Sequence, residues 1–330
     1  MSKAHPHHGF ARTGLVAWRR RVLVLGCLVF LTGCQSSSEP PAQKNLDEAG
    51  ILLSAAQVKA LCDDVEAQDA AELRILDLRS ESDYSEGHVP GALWMNFSTI
   101  AALAKKENGM HDADAWSEAV SALGVTRETR VIVYSDNNAA TATRAWWLLK
   151  YVGVNDVAVM DGGWKSWQES GFEASTAVHA YQSREFTPEF QTERLIEIAE
   201  LKERLNDPKV QLLDTRSDGE FTGEQARGPR GGRIPGATHL NWTALVGEDG
   251  RFKTKDELQK LFEMHGALPD EECITYCQSG GRASAEAFAL ELLGYPNVRV
   301  YYASWQEWGA DESVEVQTGA AQGGGGSDDG

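Results

Sequence analysis

The sequence predicts an α/β protein with two tandem domains of the same type, each a mainly parallel sheet with helices on both faces. Three observations lead to this prediction. The chain has 330 residues, which is enough for two ordinary domains. A set of motifs occurs twice in the same order. Within each copy, short apolar runs typical of buried strands alternate with helical patterns, and this alternation favours parallel strands joined by crossover helices.

The repeat is visible in several pairs of segments. Residues 76–79 (Leu-Asp-Leu-Arg) return as residues 213–216 (Leu-Asp-Thr-Arg). Residues 87–92 (Gly-His-Val-Pro-Gly-Ala) return as residues 232–237 (Gly-Arg-Ile-Pro-Gly-Ala). The further pairs are 96–97 with 241–242, 131–134 with 273–276, and 161–167 with 302–308. Because the order is kept and the offset changes only by small insertions, we infer a domain duplication.

The predicted elements follow in order along each copy. In the first, residues 55–65 form an amphipathic helix carrying Cys62, and residues 131–134 form a strand. In the second, the predicted strands are 211–214, 273–276 and 298–302, and the predicted helices are 254–265 and 283–293. Leu258, Leu261 and Phe262 share one face of the first of these helices, as in a helix packed on a sheet.

The domain limits follow from composition. We expect an N-terminal domain over residues 49–180, an extended linker over 181–196 and a C-terminal domain over 197–315. Residues 316–330 end in a run of Gly, Ser and Asp and are predicted to be a disordered tail.

The first 33 residues have the pattern of an export signal. A basic segment at Arg19–Arg21 precedes an apolar run over 22–31 that is too short to span a bilayer stably. The run ends in Leu-Thr-Gly-Cys, which resembles a bacterial lipobox with Cys34 as the lipidated residue. Residues 34–48 would then be a flexible tether, and the resemblance implies sorting to the outer membrane on its periplasmic side. An ordinary signal peptide and an uncleaved anchor are the alternatives.

Charge and cysteine content exclude several classes of protein. The formal net charge is −18, and loss of the basic signal would make it more negative, so neither nucleic acid nor an anionic lipid surface is an expected partner. We expect a monomer held to the membrane by its lipid alone. Apart from Cys27 and Cys34, the chain has Cys62, Cys273 and Cys277, which do not have the spacing of a metal site. We expect no metal or other cofactor.

Cys277 is the candidate nucleophile. It follows the predicted strand 273–276 and precedes the predicted helix, so it lies where loop amides and a helix N-terminus favour a negative charge. The loop residues Gln278, Ser279, Gly280 and Gly281 lead to Arg282, which supplies a cation. In the first copy, the matching position is Ser135 when aligned from the strand and Asp136 when aligned from the helix. A buried structural cysteine is the alternative interpretation.

Together these motifs resemble the tandem-domain rhodanese sulfurtransferases, over about residues 49–312. The resemblance rests on Asp-x-Arg early in each half, the Pro-Gly-Ala motifs, the loop 277–282 and a Trp-x-x-Trp ending. It implies that the N-terminal domain is inactive and walls the cleft. It also implies that Cys277 takes a sulfane sulfur from thiosulfate or 3-mercaptopyruvate as a persulfide and passes it to cyanide or a thiol.

The loop sequence separates this chemistry from its rivals. Four residues lie between Cys277 and Arg282, one fewer than in tyrosine phosphatases and arsenate reductases, so the cradle should be too small for a phosphoryl group. The sequence Cys-Gln-Ser-Gly-Gly-Arg is more similar to thiosulfate-type loops than to mercaptopyruvate-type loops, and we favour thiosulfate. A non-catalytic sulfur-binding or scaffolding lipoprotein is the alternative from another functional class.

One position departs from the family pattern. Many relatives place a substrate-binding arginine where this chain has Glu220. Arg227, Arg230 and Arg233 follow closely and are candidates to replace it, with solvated loop charges as the alternative. We interpret the Asp-x-Arg pairs, the paired tryptophans (Trp146, Trp147, Trp305 and Trp308) and Cys273 as structural.

Overall fold

The computed structural model describes residues 50–64 and 73–320, and it contains two parallel sheets. The N-terminal sheet has the order β1-β5-β4-β2-β3 and the C-terminal sheet the order β7-β6-β8-β9. The strands of the first are β1 (Leu52–Leu53), β2 (Leu73–Asp77), β3 (Leu93–Trp94), β4 (Arg130–Tyr134) and β5 (Asp156–Met160). Those of the second are β6 (Val210–Asp214), β7 (Thr238–His239), β8 (Glu272–Tyr276) and β9 (Val298–Val300). All strand pairs within these sheets are parallel, as predicted.

Helices follow the strands in both halves. In the N-terminal half they are α1 (Ala55–Asp63), α2 (Glu81–Glu86), α3 (Phe97–Leu103), α4 (Ala113–Ser121), α5 (Ala139–Tyr151) and α6 (Gly163–Glu169). In the C-terminal half they are α7 (Ile198–Arg204), α8 (Asp218–Thr222), α9 (Lys255–Met264), α10 (Gly281–Leu292) and α11 (Ser304–Trp308). Short 3-10 turns cover Gly109–His111, Thr192–Arg194 and Trp242–Leu245. Two parallel sheets with interleaved helices confirm the predicted fold class.

Three predicted boundaries were wrong by two residues. Helix α1 ends at Asp63 instead of 65. Helix α10 begins at Gly281 instead of 283, because Gly280 takes a left-handed conformation (φ 84°) and the helix starts directly after it. Strand β9 ends at Val300 instead of 302. Tyr301 still donates its amide to Thr275 across the sheet (3.0 Å), and the chain then turns into α11.

The two halves share one apolar core. Helix α5 of the first half packs on α10 of the second, with Trp146 edge-on to Phe288 at 4.8 Å between ring centroids. Trp147 stacks on Tyr302 at 5.3 Å. Fully buried aromatic contacts of this kind contribute roughly 0.5–1.5 kcal/mol each beyond the area they bury. They place α5 directly beside the loop that carries Cys277.

The connecting segments are more tightly bound than predicted. Within the predicted linker, Phe186 and Ile196 are buried, and Leu195 makes a parallel bridge to Val300. Beyond the predicted end of the C-terminal domain, the main chain of Gln317 pairs with that of Arg233. The folded unit therefore includes residues 316–320, which the sequence had assigned to a disordered tail.

The predicted signal peptide, Cys34 and the tether lie outside the described residues, as does the end of the tail from 321 onwards. Within residues 50–64 and 73–320, no helix has the length and apolar character required to cross a bilayer.

Candidate active site

Cys277 follows the last residue of β8 at the carboxyl end of the C-terminal sheet, where ligands of open parallel sheets bind. Four residues separate it from Arg282, which lies in the first turn of α10. The Cys277 side chain is largely covered, with 2% of the residue exposed. The structure therefore places the cysteine and the arginine at the strand-to-helix junction that the sequence predicted.

Ser304 holds the loop from the opposite side. Its hydroxyl accepts hydrogen bonds from the amides of Cys277 (3.1 Å) and Gly280 (3.2 Å) and donates to the carbonyl of Tyr301 (2.7 Å). Ser304 does this from a left-handed backbone conformation (φ 59°), which is unfavourable for a residue with a side chain. The Gly280 amide is thus engaged within the protein and is not available to an anion at Cys277.

The other loop amides form the cradle. Within the described part of the chain, the amides of Gln278, Ser279, Gly281 and Arg282 donate no main-chain hydrogen bond. Gly280 is required by packing as well as by its backbone angle, because a Cβ there would lie 2.6 Å from the Tyr302 ring. Free amides at a helix N-terminus stabilise an anion, so the loop can accommodate a negatively charged sulfur species.

Arg282 is paired with Glu220 rather than standing alone. Its two terminal nitrogens donate to the two carboxylate oxygens at 2.6 Å and 2.9 Å, and only 1% of Glu220 is exposed. Burial opposes ionisation of Glu220, but the bonds from Arg282 outweigh it and lower the pKa of Glu220 to about 2. Burial lowers the pKa of Arg282, but the bond to Glu220 and then the proximity of Cys277 outweigh it and raise that pKa. The cation predicted to serve the thiolate is therefore already half-neutralised.

The structure gives different environments to the three arginines that were candidates to bind substrate in place of an arginine at position 220. Arg230 donates to the carbonyls of Trp308, Gly309, Val314 and Asp311. Arg233 is buried and donates to carbonyls at Phe221, Gly319 and Ala320. Both guanidinium groups are occupied in holding the chain end, so the prediction that they bind substrate is wrong for these two. Arg227 alone lies at the site, 3.3 Å from Glu220, and its carbonyl accepts from Gln278 (3.5 Å).

Two cations of the N-terminal half lie beside the loop, and the sequence did not reveal them. Arg144 of α5 donates to the Ser279 carbonyl (3.1 Å) and to the Tyr302 hydroxyl (2.8 Å). Lys105, just after α3, lies close enough to Arg144 and Cys277 for both to affect its ionisation. The only sequence signal was the position of Arg144 just after the degenerate loop of the first copy.

A buried acid lies behind the loop. Glu286, one turn beyond Arg282 on α10, is fully buried, and neither of its carboxylate oxygens has a hydrogen-bond partner among the described residues. Burial, followed by the nearby Asp214 and Cys277, raises the pKa of Glu286 well above its ordinary value. Burial and then Glu286 likewise raise the pKa of Cys273 to about 12, so Cys273 is an inert core thiol.

The Asp-x-Arg motif is part of the scaffold. Arg216 binds Asp214 through two nitrogens (2.9 Å and 2.6 Å) and reaches the Gly232 carbonyl (2.7 Å). Tyr276, the residue before Cys277, donates its hydroxyl to the same carboxylate at 2.6 Å. This fully buried network fixes the end of β8, and it supports the structural interpretation of both residues.

The N-terminal half has the same frame without the thiol. The Trp164 amide donates to the Ser135 carbonyl (2.8 Å), as the Trp305 amide donates to the Cys277 carbonyl (3.0 Å). Ser135 is therefore the counterpart of Cys277 in space, which decides between the two registers left open by the sequence. Its hydroxyl donates to the Asn138 carbonyl at 2.8 Å and so braces its own loop.

A groove between the halves opens beside the loop. It has a volume of about 480 Å³, and its lining includes Lys105, Ser279, Tyr302 and Gln306. A larger cavity of about 980 Å³ lies elsewhere, among ion-paired residues such as Arg194, Glu272 and Arg299, and contains no residue of the loop. Of these two cavities, the smaller groove contacts the loop, at Ser279.

Comparison with known proteins agrees with this geometry. The model of the rhodanese-like domain matches residues 54–170 and 197–311. The "Putative thiosulfate sulfurtransferase" of Haloferax volcanii is 32% identical over 278 residues, covering 82% of this chain and 96% of the relative. The 3-mercaptopyruvate sulfurtransferase of Escherichia coli K12 is 31% identical over 263 residues, covering 76% and 93%.

Among solved structures, the anaerobic ergothioneine biosynthesis enzyme of Chlorobium limicola, in complex with trimethyl histidine, superposes with a TM-score of 0.74. It is 27% identical, and the alignment covers 84% of this chain and 72% of that one. Two matched domains, a parallel-sheet architecture and similarity to sulfurtransferases over 76–82% of the chain lead to one conclusion: the chain belongs to the rhodanese family of sulfurtransferases, as a tandem-domain member.

Proposed function

We propose that Cys277 carries the transferred sulfur and that thiosulfate is the preferred donor. In the first step, the Cys277 thiolate attacks the outer sulfur of thiosulfate. The new bond joins the two sulfurs, the S–S bond of the donor breaks, and its electron pair leaves with sulfite. The overall charge is unchanged, and the product is a Cys277 persulfide.

In the second step, a nucleophilic acceptor attacks the outer sulfur of the persulfide. Cyanide is converted to thiocyanate, or a thiolate is converted to a persulfide. The electron pair of the broken S–S bond stays on the Cys277 sulfur, which becomes a thiolate again. A negative charge stays on sulfur throughout, and the free amides of Gln278, Ser279, Gly281 and Arg282 are positioned to stabilise it without rearrangement.

The observation that carries this proposal is the largely covered Cys277 at the base of an amide cradle. A residue that is 2% exposed is accessible to a small anion more readily than to a macromolecule. The preference for thiosulfate rests on the loop sequence Cys-Gln-Ser-Gly-Gly-Arg. The relatives carry the names of both thiosulfate and mercaptopyruvate enzymes.

Mass spectrometry after incubation with each donor tests the proposal. We expect one added sulfur, about 32 Da, on Cys277 and loss of that adduct on addition of cyanide. Cys277→Ser should carry no adduct, while Cys273→Ser serves as the matched control and should still carry one. Absence of an adduct with both donors would favour a sulfur-binding or scaffolding protein. Hydrolysis of a phosphate ester would instead refute the argument from loop size.

The donor preference is tested by rate. We expect kcat/KM for thiosulfate to exceed that for 3-mercaptopyruvate at the same cyanide concentration. The opposite order would reassign the donor while leaving Cys277 as the sulfur carrier.

We also propose that the protein is exported and lipid-anchored through Cys34, on the periplasmic side of the outer membrane. The support is the sequence alone: a basic segment, a short apolar run, and Leu-Thr-Gly before Cys34. Metabolic labelling with a radioactive fatty acid should mark the wild type and not Cys34→Ser. Separation of inner and outer membranes then tests the sorting. An unlabelled, soluble periplasmic protein would indicate an ordinary cleaved signal.

A further inference from the structure

Two cations of the N-terminal half face the Cys277 loop across the interface between the halves. Arg144 reaches the loop main chain at Ser279 (3.1 Å) and is fixed by the Tyr302 hydroxyl (2.8 Å). Its guanidinium also lies over the Tyr302 ring, 5.2 Å from the centroid. Lys105 lines the groove that opens beside the same loop. Both therefore lie beside the loop that carries the thiol, although they belong to the half without a nucleophile.

These two charges differ from Arg282 in having no carboxylate to balance them. Arg144 bonds only to a hydroxyl and a carbonyl, and no ion pair of Lys105 or Arg144 occurs within the described residues. Arg282, in contrast, makes a bidentate pair with the buried Glu220. Partial burial and then the neighbouring charge of Arg144 lower the pKa of Lys105. An anion bound between Lys105 and Arg144 would reduce the repulsion between their positive charges.

We propose that Arg144 and Lys105 form the binding site for the anionic end of the sulfur donor. The site takes a small anion bearing a sulfonate-like or carboxylate group, with its transferable sulfur directed at Cys277. This inference rests on the proposed function, and it assigns binding of the donor to residues of the N-terminal half. It also gives the N-terminal half a role in recognition, beyond support.

Pairing with Glu220 reduces the positive charge on the Arg282 side of the loop. Glu220 pairs with both Arg282 (2.6 Å) and Arg227 (3.3 Å), so one negative charge offsets part of their two positive charges. A dianionic donor approaching the loop from that side meets a group with a single net positive charge. From the groove side, it meets two unbalanced positive charges, which attract it and orient it.

Single-turnover loading of the whole protein tests the proposal. Sulfite release is followed as thiosulfate is varied, for Lys105→Gln, Arg144→Gln and the double variant. We expect the half-saturating thiosulfate concentration to rise roughly tenfold for each charge removed, which corresponds to about 1.4 kcal/mol of binding free energy. The maximal loading rate should change much less. Lys59→Gln removes the same charge from a lysine bound to Asp63 (2.7 Å) and should leave the curve unchanged.

A second measurement separates anion binding from thiol reactivity and does not require sulfur transfer. Cys277 is alkylated by iodoacetate, an anion, and by iodoacetamide, its neutral analogue of similar size. We expect the iodoacetate-to-iodoacetamide rate ratio to fall in both variants and to fall with added salt in the wild type. Repetition of the loading assay with 3-mercaptopyruvate distinguishes a site for sulfonate-like groups from one for carboxylates.

The two measurements give distinguishable failures. If no donor loads Cys277 but the alkylation ratio depends on Lys105 and Arg144, the anion site stands and the proposed function is wrong. If donors load Cys277 and both variants keep the wild-type half-saturation and alkylation ratio, the anion site is overturned. An equal loss of both alkylation rates would also overturn it, because that result indicates a change in the thiol itself.

Discussion

The two halves share the same hydrogen-bonded network of Asp, Arg and Tyr at the end of a strand, and they differ in the loop that follows that strand. In the N-terminal half, Arg79 pairs with Asp77 at 2.6 Å, and Tyr134 donates to the same carboxylate at 2.5 Å. The C-terminal half repeats this arrangement with Arg216, Asp214 and Tyr276. The network is therefore independent of the chemistry, because the half without a thiol retains it. It fixes the end of the strand from which the loop departs.

The differences are concentrated in the loop and the residues behind it. Ser135 replaces the nucleophile and uses its hydroxyl on Asn138. Gly163, at the position of Ser304, has a left-handed backbone without a side chain to bind the loop amides. The first half instead contributes Arg144 to the opposite loop. The candidate nucleophile thus lies in one half, while Arg144 and Lys105 of the other half lie beside its loop.

The largest expected effect comes from exchanging the two counterpart residues. Cys277→Ser should reduce sulfur transfer by at least roughly a thousandfold, since the other thiols of residues 50–64 and 73–320, Cys62 and Cys273, lie in a helix and a strand. Adding Ser135→Cys to that variant should not restore activity, because the first loop lacks an arginine in the place of Arg282. The rate of thiocyanate formation measures the activity of both variants. Recovery of activity by the double variant would show that the shared network of Asp, Arg and Tyr is sufficient for a cysteine at this position to transfer sulfur.

The sequence could predict the frame and the nucleophile because both are local patterns. Strand, cysteine, glycine-rich loop and helix follow one another within residues 273–293, and the repeat gave the domain count. Arg144 and Lys105 could not be found this way, since their relation to Cys277 arises only when α5 packs on α10. Glu286 was also missed. An isolated glutamate among alanines on a helix is typical of a solvated face, and only its packing shows that it is buried.

A second effect should appear at Glu220, where the pair with Arg282 is specific to the active half. The pKa of Glu220 is lowered to about 2 in the folded protein, below the ordinary value of 4.5. The carboxylate therefore stabilises the fold above pH 4.5, and that contribution is lost as pH falls towards 2. We expect Glu220→Gln to cost on the order of 2–3 kcal/mol near neutral pH.

Urea unfolding at neutral and acidic pH measures this contribution. The wild type and Glu220→Gln should differ clearly at pH 7 and converge near pH 2. Asp83→Asn, at the corresponding position of the first half, is the control and should have a smaller effect. A gap that stays constant from pH 7 to pH 2 would show that ionisation of Glu220 does not stabilise the fold.

The third effect concerns Ser304, and Gly163 supplies the matched residue. Ser304→Gly removes the hydroxyl that binds two loop amides but relieves the left-handed strain, whereas Ser304→Ala removes the hydroxyl and keeps the strain. We expect the alanine variant to be less stable than the glycine variant by about 1 kcal/mol. Both should load sulfur more slowly than the wild type. Thermal unfolding and single-turnover loading measure the two effects, and equal stability of the variants would contradict the assignment of strain.

A fourth effect should appear at Glu286, the buried acid behind the loop that carries Cys277. Its pKa is raised by burial, so the folded protein retains a proton that the unfolded chain releases above its ordinary pKa near 4.5. Stability should therefore fall as pH rises beyond 4.5, until the folded-state pKa is reached. Glu286→Gln keeps the shape of the neutral acid and removes this dependence. We expect the variant to exceed the wild type by about 1–2 kcal/mol at pH 8 and to approach it near pH 4. Urea unfolding at these two pH values measures the gap, and a gap that is larger at pH 4 would show that Glu286 is ionised in the fold.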